Sequence, residues 1–507
     1  MVLQNIIEKG AKKYPRKIAI IYKGEEYTYQ QLWEKVEHFA NGLTKLNRKE
    51  KIGILLKNCP EYVISYFSIL KSGNIVIPLN HLLAEEEIEY IFENAEVSSI
   101  ITSTEFLPKI VSIQKRIKTL TNIILVDKKI SGTIFFDELL LDKQDNFKIE
   151  IDTEDIAAIL YTSGTTGYSK GVMLTHKNIL SDVIFSLKAL PVTEKDRFLC
   201  ILPMFHSFTT TVCIVLPLYI GASIFVVEGT KHIKKLISDV IKYRVSIFVG
   251  VPSIYKILSE INPPKFLKIP FIRKIMPIRF CISGAAKLPV EVIENFQKKF
   301  HIPLLEGYGL TETSPAVSIN PLGKQKIGSV GIPLPGVEVK IVDEKGEEVE
   351  VNKEGEIIVK GDIVMKGYYK LKEETEKTIV NGWIYTGDIG KIDEEGYLWI
   401  LDRKKDMINV RGLNVYPSEI ERVLLQHPKI SEACVIGVGD YFKGEVPKAF
   451  IVVKKGEQLK EKEVLDFLKT KIASYKIPKY IEFIDFLPKS STGKILKRQL
   501  QGGIWKK

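Results

Sequence analysis

Residues 161–171 combine the chemical groups that bind a polyphosphate. The segment holds three glycines, three threonines, two serines and one lysine. Glycines let a backbone approach a ligand closely, and successive N–H groups in such a turn can form a nest for an anion. Hydroxyl groups add hydrogen-bond donors, and the lysine adds a charge suited to phosphate. We therefore predict a polyphosphate-binding loop with the following contacts: Thr162, Ser163, Gly164, Thr165, Thr166, Gly167 and Lys170.

The surroundings of this loop differ from those of a Walker A loop. A Walker A loop closes with Gly-Lys-Ser/Thr, whereas here Lys170 lies between Ser169 and Gly171. Apolar residues predict strands at 156–160 and 172–174, and a helical pattern begins only near Thr175. The loop is therefore expected to join two strands. A simple surface turn is the alternative, but it does not explain so many hydroxyl groups beside a lysine.

A second motif, residues 304–312, has the composition of a nucleotide site. Tyr308 can stack on a purine, and the glycines on either side of it let the backbone lie against the ring. Thr311 can donate to an α-phosphate oxygen, and Glu312 can hold Mg²⁺, which takes one or two protein carboxylates beside phosphate oxygens. The alternative is a helix cap at Thr311, which leaves Tyr308 and the glycines unexplained.

Three further segments carry weaker signals when each is taken alone. Small residues at 284–286 end an apolar strand predicted at 278–283, where an adenine ring could lie flat, although a packing role explains them equally well. Asp388 is predicted at the end of a short strand and could accept hydrogen bonds from ribose, but aspartate is also a common turn residue. Lys494 lies in a loop rich in serine and threonine, where a lysine is normally a solvated charge.

The order of these motifs resembles that of the adenylate-forming enzymes, which include acyl-CoA synthetases, peptide-synthetase adenylation domains and luciferases. The resemblance covers nearly the whole chain. Ser169 departs from the family's usual proline, and Asp402 from a glycine that many members have. The resemblance implies that a carboxylate attacks the α-phosphorus of ATP and that a thiol then attacks the acyl-adenylate. The implied cofactors and co-substrates are ATP, Mg²⁺ and coenzyme A.

The resemblance also implies a role for each matching residue. The implied catalytic residues are Lys494, Thr311, Glu312 and His206, with Glu312 and Thr162 as metal ligands. The implied nucleotide contacts outside the phosphate loop are Gly284, Ala285, Ala286, Glu306, Gly307, Tyr308, Gly309, Asp388 and Arg403. Gly412 would leave room for the pantetheine arm of coenzyme A, and Lys405 occupies the hinge position.

The pattern of apolar and polar residues along the sequence predicts an α/β protein of two domains. Alternating helix and strand patterns predict layered α/β subdomains, and short strands after Gly331 predict a small β-rich subdomain. Together these form a large N-terminal domain, residues 1–403. Residues 404–507 form a small α+β domain, which the resemblance implies is mobile. Its first helix is expected to have Ser418 as its cap, with Glu421 completing a capping box.

The bulk composition bears on partners and location. The net charge of +11 is compatible with nucleic acid, an anionic membrane surface, or ATP and coenzyme A. Because the lysines are scattered, we favour the small polyanions with weak peripheral membrane attraction, and no nucleic acid. Five widely spaced cysteines without a CxxC pair favour a reducing, cytoplasmic location. No signal peptide is expected, and the uncharged stretch 198–227 is interrupted by prolines and a glycine, which favours a buried strand–helix–strand unit.

The substrate is predicted from the region around His206. Amino-acid-activating relatives carry an aspartate there, so a free amino acid is disfavoured. An apolar tunnel for a medium or long fatty acid is expected from Phe205, Thr209, Val249, Gly250 and Val251, although these residues are also compatible with a core. Aryl and short acids remain alternatives, as do transfer to an acyl carrier protein and a non-catalytic ATP sensor.

Overall fold

Four β-sheets organise the part of the chain that the computed structural model describes, namely residues 1–46, 49–140, 149–162, 169–229, 233–261, 277–410, 413–440, 444–490 and 493–501. The strands are β1 Ile18–Tyr22, β2 Glu25–Thr28, β3 Lys51–Leu55, β4 Ile75–Pro78, β5 Val97–Thr102, β6 Asn122–Leu125, β7 Ile134–Phe135, β8 Ile156–Thr162, β9 Lys170–Thr175, β10 Arg197–Cys200, β11 Ser223–Val226, β12 Ile247–Gly250, β13 Phe280–Ser283, β14 Leu304–Gly309, β15 Ala316–Ile319, β16 Ile332–Pro333, β17 Glu338–Val342, β18 Gly355–Lys360, β19 Gly367–Tyr368, β20 Ile379–Val380, β21 Trp383–Ile392, β22 Leu398–Arg403, β23 Ile408–Val410, β24 Leu413–Val415, β25 Ile430–Asp440, β26 Gly444–Val453 and β27 Tyr480–Phe483.

Helices cover and connect these sheets. The α-helices are α1 Asn5–Lys13, α2 Tyr29–Leu46, α3 Pro60–Lys71, α4 Glu85–Ala95, α5 Leu107–Gln114, α6 Phe136–Leu140, α7 His176–Ala189, α8 Ser207–Thr209, α9 Leu216–Ile220, α10 Ile233–Lys242, α11 Pro252–Glu260, α12 Val290–Phe300, α13 Lys372–Thr378, α14 Pro417–Leu425, α15 Glu461–Lys469 and α16 Lys497–Gln501. A π-helix covers Thr210–Val215, and short 3₁₀ helices cover Thr311–Thr313, Lys404–Asp406 and Ser474–Lys476.

The largest sheet has nine strands in the order β16-β15-β14-β13-β12-β10-β11-β1-β2. Its central strands, from β14 to β1, pair in parallel. The residues of β11, β12 and β13 are all buried, as expected for a parallel sheet that is covered on both faces. The motif residues that follow β13 and β14 therefore emerge side by side at the carboxyl edge of this sheet.

The eight-stranded sheet presents the flanks of the predicted phosphate loop. Its order is β19-β9-β8-β4-β3-β5-β6-β7. Strands β8 and β9 form an antiparallel hairpin in which Thr162 lies opposite Lys170. The short strand β19 pairs with β9, which brings Tyr368 opposite Val172. The prediction that the loop joins two strands and does not open a helix is confirmed, since β8 ends at Thr162, β9 begins at Lys170, and α7 begins only at His176.

Two five-stranded sheets follow along the chain. Strands β17, β18, β20, β21 and β22 form the first, which is the β-rich subdomain expected after Gly331. The second contains β23 to β27 and has its own apolar core, which is the property of a separate packing unit. The chain passes from one sheet to the other between Arg403 and Ile408, through the 3₁₀ turn Lys404–Asp406.

Two local predictions were wrong. Asp388 does not end a short strand but lies inside the ten-residue strand β21.

The predicted cap of α14 was the second error. Ser418 does not cap this helix, because its hydroxyl donates to the carbonyl of Leu401 at 2.5 Å. The capping box fails as well, since the Glu421 carboxylate accepts the N–H of Val435 at 2.8 Å. Ser418 and Glu421 therefore bind backbone groups of the neighbouring strands β22 and β25 instead of the N–H groups at the start of their own helix. Asp402 takes over the capping role by accepting the N–H of Ser418 at 2.8 Å.

The uncharged stretch 198–227 forms the predicted buried unit. It contains β10, the helical segments from Ser207 to Ile220, and β11. Gly221 ends the last of these helices with φ +82°, a backbone conformation that suits glycine. Among the described residues, no helix has the length and apolarity needed to cross a membrane.

The five cysteines are free thiols. Four of them are buried, namely Cys200, Cys213, Cys281 and Cys434, and Cys59 is partly buried. Burial raises the thiol pKa of Cys59, Cys213, Cys281 and Cys434.

Candidate active site

A chain of hydrogen bonds joins three of the predicted nucleotide contacts. The Tyr308 hydroxyl, at the end of β14, donates to Asp388 Oδ2 at 2.6 Å. Arg403 Nε lies 2.6 Å from Asp388 Oδ1, because β21 and β22 place these two residues opposite each other. Asp388 is only 2 % exposed, and burial raises its carboxyl pKa while the Arg403 charge opposes the rise. Both oxygens of the carboxylate are thus held in a fixed orientation.

Lys494 belongs to the same neighbourhood. Lys494 is exposed to solvent. Nearby protein groups nevertheless remove part of the water around it, and this partial desolvation lowers the pKa of its ammonium group. The charges of Arg403 and Lys405 lower the pKa further, while Asp388 and Asp406 oppose them. The structure therefore places Lys494 of the C-terminal unit close enough to the Asp388–Arg403 pair and to the predicted hinge residue Lys405 for their charges to act on it.

The Thr311–Glu312 pair lies in the 3₁₀ turn directly after β14. The Thr311 hydroxyl is 3.4 Å from the Ser207 hydroxyl. The helix-cap alternative for Thr311 fails, because Thr311 lies inside the turn and the residue at the cap position is Leu310. Glu312 Oε1 accepts a hydrogen bond from the Tyr368 hydroxyl at 3.0 Å. Glu312 is only half-buried, so its carboxylate is accessible to a ligand.

Lys170 lies on the other side of Tyr368. Its Nζ is 5.1 Å from the centre of the Tyr368 ring and 2.6 Å from Glu374 Oε2, on α13. Tyr368 therefore bridges the predicted phosphate lysine and the predicted metal ligand Glu312. Sequence reasoning missed Tyr368 and Glu374, because only the pairing of β19 with β9 brings them to the loop. No spacing within the motifs indicates that contact.

Some predicted contacts lie outside the described residues. These are Ser163, Gly164, Thr165, Thr166 and Gly167 of the phosphate loop, together with Gly412. The structure does describe the two ends of the loop, Thr162 and Lys170, which face each other across the β8–β9 hairpin.

Tight packing explains the small residues of the nucleotide motifs. A Cβ on Gly309 would lie 1.8 Å from the Pro315 carbonyl oxygen, and one on Gly307 would lie 3.0 Å from the Ser318 carbonyl oxygen. A Cβ on Gly284 would lie 3.0 Å from the Phe208 ring. These positions therefore need glycine for packing as well as for any approach of a ligand.

Residues 285–288 lie against a buried carboxyl group. Ala285 adopts φ +68°, and Ala286 follows it at the start of the turn that leads to α12. Glu306 Oε1 accepts the N–H of Leu288 at 2.9 Å, whereas Oε2 is buried and finds no partner among the described residues. Burial raises the pKa of Glu306 to about 7, although the nearby Lys287 charge acts in the opposite direction. Glu306 thus supports the segment that was predicted as the adenine wall.

His206 directly precedes helix α8 and packs against the neighbouring Phe205 ring. Its ring centre is 4.2 Å from that of Phe205, which in turn is 5.7 Å from that of His81. Burial and the His81 charge lower the pKa of His206 to about 4, so the imidazole is neutral at neutral pH. The predicted tunnel residues Phe205, Thr209 and Val249 are buried.

An apolar cavity lies elsewhere, between β12, β13 and the helices that cover them, and none of the predicted tunnel residues lines it. It is lined by Leu236, Ile237, Val240, Phe248, Leu258, Ile278, Cys281, Phe296, Phe300 and Ile302.

A parallel sheet with motif residues at its carboxyl edge, where open α/β sheets bind ligands, and the Tyr308–Asp388–Arg403 chain fit an enzyme that binds a nucleotide. The chain belongs to the AMP-binding enzyme family. The model of this family matches residues 7–369, and the model of the AMP-binding enzyme C-terminal domain matches residues 419–494. This membership confirms the family resemblance of the motifs.

Individual relatives extend the match over the whole chain. A long-chain-fatty-acid–CoA ligase of Bacillus subtilis (strain 168) is 36% identical, over 98% of this chain and 94% of the relative. The crystal structure of the anthranilate CoA ligase AuaEII with anthranoyl-AMP matches with a TM-score of 0.90 and 29% identity, covering 99% of this chain and 97% of the other. The o-succinylbenzoate coenzyme A synthetase of Bacillus subtilis with ATP and magnesium matches with a TM-score of 0.85 and 30% identity, covering 98% and 99%. The α/β fold prediction is confirmed by these structures.

Proposed function

We propose that this protein is an AMP-forming acid–thiol ligase that converts a medium or long fatty acid to its acyl-CoA through an acyl-adenylate. AMP and pyrophosphate are the other products. The observation that carries this proposal is that Lys494 lies within the electrostatic influence of the Asp388–Arg403 pair, which Tyr308 also contacts, in a protein of the AMP-binding family. The similarity to a ligase named for long-chain fatty acids supports the choice of acid.

The first half-reaction needs positive charge around the α-phosphorus. A carboxylate oxygen attacks this phosphorus, a P–O bond forms, and pyrophosphate leaves with the electrons of the broken bond. Two anions must approach each other, so fixed cations and hydrogen-bond donors stabilise the transition state. Lys494 and Lys170 supply the charge, and the Thr311 hydroxyl supplies a donor at the end of β14. The Asp388–Arg403 pair orients the nucleotide by holding its ribose.

The residues present also fit a magnesium ion. The Glu312 carboxylate is half-buried and oriented by Tyr368, and Thr162 adds a hydroxyl oxygen at the end of β8. A hard cation of this kind uses few protein oxygens beside those of phosphate. When bound, Mg²⁺ would neutralise part of the negative charge of the phosphates.

The second half-reaction transfers the acyl group to a thiol. The thiol sulfur of coenzyme A attacks the acyl carbonyl, a C–S bond forms, the C–O bond to the phosphate breaks, and AMP leaves with its electrons while the thiol proton is released to water. We propose that residues 404–507 move as a unit about Lys405 between the half-reactions, which would withdraw Lys494 and bring Gly412 to the thiol. The separate core of this unit and its short connection to residues 1–403 support the division.

The electrostatics around His206 favour an acid without an amino group. A neutral imidazole offers no counter-charge for a substrate ammonium, and its neighbours Phe205 and Thr209 are buried. Aryl acids remain the second candidate, because the similar AuaEII structure binds anthranoyl-AMP. Each buried methylene of a fatty acid would add about 0.8 kcal/mol of binding.

A panel of acids tests both the activity and the substrate. Purified protein is mixed with ATP, Mg²⁺ and acids from acetate to palmitate and benzoate, and pyrophosphate release is measured with coenzyme A, with acyl carrier protein or with neither. We expect the specificity constant to rise with chain length through the medium range and the thioester to form with coenzyme A. A maximum at acetate or benzoate would refute the fatty acid, and thioester formation only on acyl carrier protein would refute coenzyme A as the acceptor.

Substitution of Lys494 separates the half-reactions. Lys494→Ala should lose most acyl-AMP formation, because charge develops at the α-phosphorus only in that step. The variant should still convert supplied acyl-AMP to thioester. Lys455→Ala, at an exposed turn lysine, is the matched control. Equal loss in both half-reactions would contradict the role assigned to Lys494.

A further inference from the structure

The lysine that approaches the nucleotide cleft is carried by a short hairpin. Lys489 and Ile495 bridge its two ends in antiparallel fashion. The Ser490 N–H donates to the Lys494 carbonyl at 2.8 Å, and the Gly493 N–H donates to the Ser490 carbonyl at 2.9 Å. We call the described residues 489, 490 and 493–495 the lysine hairpin. The orientation of Lys494 therefore depends on what holds this hairpin against the large domain.

The base of the lysine hairpin is tied to helix α11 by charge. Lys489 Nζ lies 2.6 Å from Glu432 Oε2, at the start of β25. On the opposite side, Lys256 Nζ of α11 lies 4.0 Å from Glu432 Oε1 and donates to the Ser431 carbonyl at 3.1 Å. Glu432 thus lies between a lysine of the hairpin and a lysine of the large domain.

The tip of the lysine hairpin contacts the same helix. Gly493 has φ +81°, and a Cβ built on it would lie 3.0 Å from Ser253 Oγ. Ser253 and Lys256 are three residues apart on α11, so they share one face of the helix. One helical face therefore lies against the tip of the hairpin at Ser253 and reaches its base, from Lys256, through Glu432.

Helix α11 is a firm support for this contact. Its opposite face packs into the core through Ile254, Tyr255 and Leu258, which are buried. The Tyr255 hydroxyl donates to the carbonyls of Phe248 at 3.0 Å and Ile282 at 2.8 Å. These bonds fix α11 to β12 and β13, whose carboxyl ends border the nucleotide site.

We propose that the exposed face of α11, formed by Ser253 and Lys256, is a dock that positions the lysine hairpin for acyl-AMP formation. Lys256 and Ser253 are positioning residues, since they act through the hairpin and not on the substrate. The inference rests on the proposed role of Lys494. The dock is needed only while Lys494 is in the cleft, so its loss should slow the first half-reaction and spare the second.

Charge reversal at Lys256 tests the base of the dock. Lys256→Glu replaces an attraction by repulsion from Glu432 and removes the donor to Ser431. We expect at least a tenfold fall in acyl-AMP formation, while supplied acyl-AMP reacts with coenzyme A at the wild-type rate or faster. Lys256→Arg keeps the charge and should restore acyl-AMP formation to within about threefold of wild type, the scale of an exposed ion pair. Lys235→Ala is the control, because Lys235 pairs with Asp239 within its own helix.

A steric variant tests the tip of the dock independently. Ser253 is exposed, so Ser253→Leu leaves the core untouched but occupies the space against Gly493. It should show the same selective loss. Hydrogen exchange provides a readout besides activity: peptides from the lysine hairpin should exchange faster in both variants, with the melting temperature unchanged.

The outcomes separate the dock from the proposed function. If Lys494→Ala loses acyl-AMP formation but both dock variants keep the wild-type ratio of half-reactions and wild-type exchange, the dock is refuted and the role of Lys494 stands. If both half-reactions fall together in the dock variants, α11 acts on general stability and the dock is equally refuted. If Lys494→Ala itself leaves acyl-AMP formation intact, the proposed function of the hairpin fails first.

Discussion

The hydroxyl group of Tyr368 offers a test of the proposed magnesium site at Glu312. In Tyr368→Phe, the ring that lies 5.1 Å from Lys170 Nζ remains, and only the donor to Glu312 Oε1 at 3.0 Å is lost. A hydrogen bond to a charged group contributes about 1.5–3 kcal/mol. Because Glu312 is half-exposed, we take the lower end, and about 1.4 kcal/mol corresponds to a factor of ten. This agrees with the effect of other partners that orient metal ligands, which is at least about tenfold.

We therefore expect the free Mg²⁺ concentration for half-maximal activity to rise about tenfold. Pyrophosphate release is measured at fixed ATP over a range of free Mg²⁺. Binding of Mn²⁺ with ATP, followed by electron paramagnetic resonance, supplies a readout that does not depend on turnover. The matched control is Tyr369→Phe, because the neighbouring Tyr369 ring lies against Lys51 and Lys370 instead.

Two outcomes would refute this reasoning. An unchanged Mg²⁺ midpoint in Tyr368→Phe would mean that the hydroxyl does not orient Glu312 for a metal. An equal shift in Tyr369→Phe would mean that the effect comes from the β19 segment as a whole.

Two further predictions concern the nucleotide motifs. Burial raises the Glu306 pKa from 4.5 to about 7, so the folded state holds a proton that the unfolded chain has released, and stability should fall by up to about 3 kcal/mol between pH 4.5 and about 7. Glu306→Gln should flatten this part of the stability–pH profile, and an unchanged slope would argue against it. Gly309→Ala should destabilise the protein by about 1–3 kcal/mol or more, because its Cβ meets the Pro315 backbone oxygen at 1.8 Å. Gly439→Ala, which meets nothing within 4 Å, is the control, and equal denaturation midpoints would contradict the clash.

The sequence predicted the features that depend on local pattern. Short apolar runs predicted the strands that flank the phosphate loop. The alternation of helical and strand patterns of apolar residues predicted the layered α/β fold. Each motif is also local, so the family resemblance identified the Tyr308, Asp388 and Lys494 regions before their geometry was known.

The contacts that organise the site are not local, and the sequence did not predict them. Tyr368 is 56 residues from Glu312, and Glu374 is 204 residues from Lys170. Even the wrong prediction for Asp388 has a physical cause. Gly387 adopts φ +69° and resembles a turn, but the strand continues past it with only a shift in register.

The protected thiols have a practical consequence for testing the proposed movement of the C-terminal unit. Maleimide and related labels react with thiolates, and burial that raises a thiol pKa suppresses that form. Because four of the five native cysteines are buried, and the pKa of the partly buried Cys59 is also raised, a cysteine introduced on the exposed turn at Lys455 should label selectively. The signal of this single label, recorded with ATP, fatty acid and coenzyme A added in turn, would then report the proposed movement in the otherwise natural sequence.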